Sequence, residues 1–214
     1  MGEEADLGEL AIGLGGRRIA DPLDRLRRYC GLPWSGGTSE TWPYRYYDAI
    51  ESPDADRIHP IDVLAAGAIH PGLTRGDLAF FHDEADALAA WLASTPADIR
   101  LADADDDLLD HLAEVATWDV PVSLALLTKV LQRVRPLLVP IADQHLVDWY
   151  RRYTGEGDPV AAWPILLSGL RNDLHYRTTW LVLAMFGARL ETELGRAPST
   201  LRRVDILIRM EGVS

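Results

Sequence analysis

Residues 119–153 read DVPVSLALLTKVLQRVRPLLVPIADQHLVDWYRRY, and this stretch decides the fold. Val120, Leu124, Leu127, Leu131 and Val134 recur at three- and four-residue intervals, the period of one helix face. Asp119 is placed to cap that helix, with Pro121 in its first turn. Pro136 ends it, because proline removes a donor and clashes with the preceding turn. After Pro140, Asp143 is placed to cap a second helix running to Tyr153, with Leu146, Val147 and Tyr150 facing inward. Lys129 and Arg133 lie four apart, off the apolar stripe of the first helix.

Helical periodicity continues on both sides. A first helix is expected over 20–30, capped by Asp21 with Pro22 at its first position. Others are expected over 60–69, over most of 75–94, and over 103–117 after an acidic first turn that suits the helix dipole. Gly155 to Pro159 reads as a turn, followed by helical runs over 159–169, 171–194 and 199–210. No convincing strand and no repeat is visible. The expected architecture is all-α, a single compact helical domain of about eight helices over 20–214. An acidic, Gly-rich N-terminal tail over 1–19 is expected to be poorly ordered. Residues 31–57 read as a long connection rich in aromatics.

The chain of 214 residues holds twenty arginines and one lysine. It has one cysteine, Cys30, so neither an intramolecular disulfide nor a cysteine metal cluster is expected. The start lacks the basic-then-apolar pattern of a secretory signal. The longest apolar run, Trp180 to Ala188, is short of the about 20 helical residues that span a bilayer. A soluble, cytoplasmic protein with no membrane partner is expected. Charge is uneven: residues 1–128 hold 9 Arg against 24 Asp and Glu, whereas residues 129–214 hold 12 Lys and Arg against 9. The acidic N-terminal half suits a basic protein partner. The C-terminal half could present a positive face to a nucleobase, a nucleoside or DNA.

Lys129, Asp143 and His145 are the candidate catalytic residues. A lysine beside a low-dielectric wall loses affinity for its proton, and its free amine attacks carbonyl or sugar carbons. An aspartate at a helix start can stabilise an oxocarbenium-like centre or relay a proton. The same residues also fit a solvated lysine beside Arg133 and a plain N-cap. Trp42, Tyr44 and Tyr47, with Trp34, could stack on a ring ligand, or fold down over the core. Arg133 and Arg135, with Arg151 and Arg152, are candidate ligand contacts at a basic rim. His59 with Asp62, and His145 with Asp148, have helical spacing, but no metal and no cofactor is expected. Gly13-Leu14-Gly15-Gly16-Arg17 lacks the Gly-Lys-Ser/Thr ending of a phosphate loop.

Arg135-Pro136-Leu137-Leu138-Val139-Pro140-Ile141-Ala142-Asp143 resembles the signature of an uncharacterised actinobacterial domain-of-unknown-function family. His59 to Leu64, Asp103 to Leu108 and Leu201 to Met210 look similar to it as well. That family is in turn distantly similar to helix-hairpin-helix DNA glycosylases. The resemblance implies a glycosylase-like helical fold, with Asp143 of Val139-Pro140-Ile141-Ala142-Asp143-Gln144-His145 at the catalytic aspartate and Lys129 as a weaker match for the lysine. It implies binding of a nucleobase or nucleoside-like ligand, with N-glycosidic bond cleavage. The matching hairpin, Trp118-Asp119-Val120-Pro121, departs from the pattern. It has no glycine and carries a carboxylate, which repels a phosphate. A non-catalytic protein-interaction module on the same helical frame is the alternative.

Overall fold

The computed structural model describes residues 11–33 and 44–211, with the backbone alone for Tyr44 and Arg45. The described residues are predominantly helical. The helices are α1 (Pro22–Tyr29), α2 (Tyr44–Tyr47), α3 (Pro60–Gly67), α4 (Arg75–Asp83), α5 (Ala85–Ala93) and α6 (Asp106–Glu114). They continue with α7 (Leu124–Val134), α8 (Gln144–Thr154), α9 (Pro159–His175), α10 (Arg177–Leu194) and α11 (Thr200–Glu211). Among the described residues, no helix is long and apolar enough to cross a membrane.

Part of the expected tail is instead a hairpin, β1 (Ile12–Leu14) paired antiparallel with β2 (Arg17–Ile19). Gly15 and Gly16 form its turn at φ 55° and 62°, the positive values a tight hairpin turn requires at both central residues. Ile12, Leu14 and Ile19 enter the core. The Gly15 N–H donates to Asp173 Oδ2 at 2.6 Å, and Tyr150 Oη donates to the same oxygen at 2.5 Å. The Trp149 indole donates to the Leu14 carbonyl at 2.9 Å. Strands of three residues carry too little alternation to be seen in sequence, so long-range partners decide this element.

Several helix starts also move. Ser123, not Asp119, caps α7: its Oγ accepts from the Leu126 N–H at 3.2 Å. Pro121 therefore lies in the loop before the helix. Asp21 precedes α1 at φ 48° and makes no side-chain cap. The run 75–94 breaks at Glu84 into α4 and α5. The helix expected to end near 169 continues to His175, and the next starts after Tyr176.

Two helices form the centre. In α7 every residue except Ala125 and Arg133 is buried, and in α11 every residue except Arg209 and Glu211. α7 packs against α3 and α9, while α11 packs against α1, α8 and α10. Both helices carry polar residues, so burial on all sides forces an internal polar network. Lys129, off the apolar stripe of α7, is thereby inside the protein and not on a solvated face.

The link from α7 to α8 is clamped. Arg135 Nε donates to the Thr95 carbonyl at 2.5 Å, Nη2 to Leu92 at 2.6 Å, and Nη1 to the carbonyl of Ala55. Thr128 Oγ1 donates to the Leu124 carbonyl at 2.8 Å and accepts from the Ala142 N–H at 2.9 Å. Leu138, Val139, Ile141 and Ala142 are buried between these anchors, and they fix where Asp143 begins α8.

Candidate functional site

Lys129 is 4% exposed. Burial lowers its affinity for a proton. Asp143 and Asp205 oppose that shift, whereas Arg209 and Arg202 reinforce it. Taking an ammonium ion largely out of water is costly, so such a group moves toward its neutral form.

Asp143 is also buried. Its Oδ1 accepts from the N–H groups of His145 and Leu146 at 3.1 and 3.3 Å, capping α8, and its Oδ2 accepts from Arg209 Nη2. Asp205, on α11, is a second carboxylate in the field of Lys129. Burial raises its pKa and Asp143 raises it further, while Arg202, Arg209 and Lys129 pull the other way. The cluster therefore holds an amine displaced toward neutrality and a carboxyl displaced toward protonation, with an anchored carboxylate beside them.

Arg202 organises the other side. It is 2% exposed and donates through Nε to Asp48 Oδ1 at 2.9 Å, through Nη1 to Asp205, and through Nη2 to the Tyr29 hydroxyl. Tyr29 in turn donates to Asp48 Oδ2 at 2.9 Å. The Arg202 guanidinium sits 4.7 Å from the centre of the Tyr47 ring. Tyr47 is buried, with its hydroxyl 2.7 Å from the Lys129 carbonyl oxygen and 2.8 Å from Gln132 Oε1.

Lys129 and Asp143 thus share one buried neighbourhood with Asp205. His145 takes part only through its backbone N–H, and its side chain is exposed. Arg133 donates to Asp62 Oδ1 at 3.0 Å, to the Tyr47 carbonyl, and to Ile50 at 2.9 Å, so its donors serve the fold. Arg135 is spent on the link. Arg151 pairs with Asp148 at 2.6 Å, and Arg152 donates to the Gly15 carbonyl at 2.8 Å beside the hairpin. Trp34, Trp42 and the side chain of Tyr44 lie outside the described residues. Among the described residues, no group of three or more His, Cys, Asp and Glu could hold a metal ion.

Asp205, Arg202, Arg209, Asp48 and His70 are absent from the candidates drawn from sequence. His70 is half-buried, and its affinity for a proton is lowered first by burial and then by the charge of Lys129. One signal pointed to α11. Asp205 interrupts the apolar run Val204 to Ile208, with arginines three residues before and four after it. Charges at that spacing inside an apolar run predict a buried ion network.

A family of unknown function, DUF6308, matches residues 22–212, which takes in all the described helices and every residue of the cluster. No curated protein and no solved structure matches the chain.

Proposed function

The chain belongs to DUF6308, a family of unknown function, and we propose that it is a glycosylase-related protein. In this reading it binds a nucleobase or nucleoside-like ligand at Lys129, Asp143 and Asp205 and cleaves an N-glycosidic bond. The observation that carries it is the place of Lys129: a lysine side chain buried in the field of two carboxylates, Asp143 and Asp205, with its affinity for a proton lowered by burial. Perturbed titratable groups of this kind concentrate at functional sites.

The chemistry follows from the three groups. The free Lys129 amine attacks the anomeric carbon, and the carbon–nitrogen bond to the base breaks. The bond's electron pair goes to the base, which takes a proton from Asp205. The new ammonium returns a proton to Asp205, while Asp143, anchored by two amides and Arg209, balances the positive charge on the sugar. Borohydride trapping with DNA containing abasic sites tests this. The wild-type protein should give a covalent adduct and Lys129→Met none. A wild-type protein that forms no adduct, or a Lys129→Met variant that still does, defeats the enzymatic reading.

An interaction role on the same frame has its own support. Asp83, Glu84 and Asp119 are exposed, make no ion pair among the described residues, and line one cleft of about 390 Å3 with Phe80, Val120 and Pro121. An apolar groove of about 360 Å3, which shares Val120, is lined by Val115, Trp118, Val122, Leu127 and Val160. Converging carboxylates repel phosphates and suit a basic, partly apolar protein segment. An amphipathic peptide of leucine and arginine should bind the wild-type protein and lose affinity in Asp83→Lys/Asp119→Lys, with Lys129→Met unaffected. Equal binding to the charge-reversed variant removes this second role.

A further inference from the structure

A separate cleft of about 150 Å3 lies between the segment after α2, the C-terminal half of α7 and the start of α11. Tyr47, Gln132 and Arg202 are its buried lining, with Arg133 beside them, and Arg196 and Ser199 line it near the α11 N-terminus. Gln132 is 2% exposed. Its Oε1 faces the Tyr47 hydroxyl, and its Nε2 is buried with no hydrogen-bond partner among the described residues. Turning the amide over would strand the oxygen in place of the nitrogen, so one polar atom lacks a partner in either orientation. A buried orphan of this kind calls for a water or a ligand group.

The lining has donors to spare. The Ser199 Oγ accepts from the Arg202 N–H at 3.2 Å, which leaves its own proton without an acceptor among the described residues. Of the first amides of α11, those of Thr200 and Leu201 have no partner within the helix, and they lie at the positive end of its dipole. Arg196 pairs with Glu51 at 2.8 Å, but Glu51 is 80% exposed and is free to swing into solvent. The carboxylate of the lining, Asp48, is already spent on Arg202 and Tyr29. Donors at a helix start, with the Arg196 guanidinium beside them, suit a small acceptor-rich oxyanion.

We propose that this cleft binds the phosphate group of a phosphorylated ligand through Gln132 Nε2, the Ser199 hydroxyl, the first amides of α11 and Arg196. Its size admits one phosphate and leaves the rest of the ligand outside. Tyr47 stands between this cleft and Lys129, with its ring in the lining and its hydroxyl on the Lys129 carbonyl. That the rest of the ligand is a nucleoside rests on the function proposed above, whereas the phosphate site does not.

Calorimetric titration of the full chain with inorganic phosphate, against potassium chloride of equal ionic strength, tests the site. Saturable binding is expected with phosphate and not with chloride. Arg196→Gln should weaken it about tenfold, the loss of one charge-assisted contact. Glu51→Gln, which removes the competing carboxylate, should tighten it. Glu51 is exposed and the Arg196 side chain is half-exposed, so neither change touches the core. Phosphate heats no different from chloride, or phosphate affinities unchanged in both variants, overturn the proposal. A nucleoside 5′-monophosphate arm separates the two readings. Tighter binding than inorganic phosphate, lost in the same variant, supports a nucleotide ligand; equal binding leaves the phosphate site standing and counts against the nucleoside.

Discussion

Replacing Arg202 by methionine is expected to destabilise the protein by about 3–5 kcal/mol, the range for removing one partner of a buried ion network. Arg202 serves two carboxylates and a phenol at once, all away from solvent. Methionine fills the volume but leaves Asp48 and Asp205 as buried anions. The pH dependence follows from Asp205. Its folded pKa is raised above the ordinary value of 3.8. The stability it contributes is therefore fully present below that value and is lost as pH rises through the folded pKa. Without Arg202 that pKa rises further, so the deficit of the variant should be largest near neutral pH and should shrink in acid. Urea unfolding at several pH values measures both. A deficit below about 1 kcal/mol at neutral pH would mean that the network is solvated and of little structural weight.

Lys129→Met is expected to do the opposite, raising stability by about 0.5–2 kcal/mol at neutral pH, as removing a functional group often does. The folded pKa of Lys129 lies below its ordinary 10.5, chiefly through burial. Its contribution to stability is complete above 10.5 and is lost as pH falls through the folded pKa, so at neutral pH the lysine is a burden on the fold. Methionine relieves that burden at the expense of one attraction for Asp143 and Asp205. The advantage should fade as pH is raised toward 10.5, where both side chains are uncharged. A lysine kept for structure would give a loss of stability instead. Thermal unfolding of the two proteins from neutral to alkaline pH decides between these outcomes.

The contrast between these two residues reflects how the chain encodes its interior. The apolar stripe of α7 and the prolines after it give the helix, its end and the cap at Asp143, because each is a local matter of periodicity, a missing donor or a short side chain meeting free amides. The start of α7 did not follow from local rules. Both Asp119 and Ser123 are acceptable caps, and packing of Val122 and Leu124 settles the choice in favour of Ser123. The β1–β2 hairpin depends on Asp173 and Trp149, more than 130 residues away, and nothing near Gly15 announces them.

The candidate site divides in the same way. Lys129 and Asp143 stand fourteen residues apart across a clamped link, so their proximity follows from the order of the elements. Asp205, Arg202 and Arg209 arrive from the far end of the chain on α11. Sequence marked them only as charges inside an apolar run. The burial of α7 on all sides was not legible, because a polar face looks alike whether it meets water or another polar face. That is why the same residues suited a solvated lysine in sequence and a buried one in the structure.

The account depends on the Lys129 amine being held away from its charged state inside the protein. The chain has one lysine, so labelling with 13C- and 15N-lysine gives a single side-chain signal with no assignment needed. Followed by NMR against pH, that signal should titrate below 10.5, and its midpoint should move when Asp205 is changed to asparagine. A midpoint at or above 10.5, insensitive to Asp205, would contradict the account and return Lys129 to the role of an ordinary solvated cation.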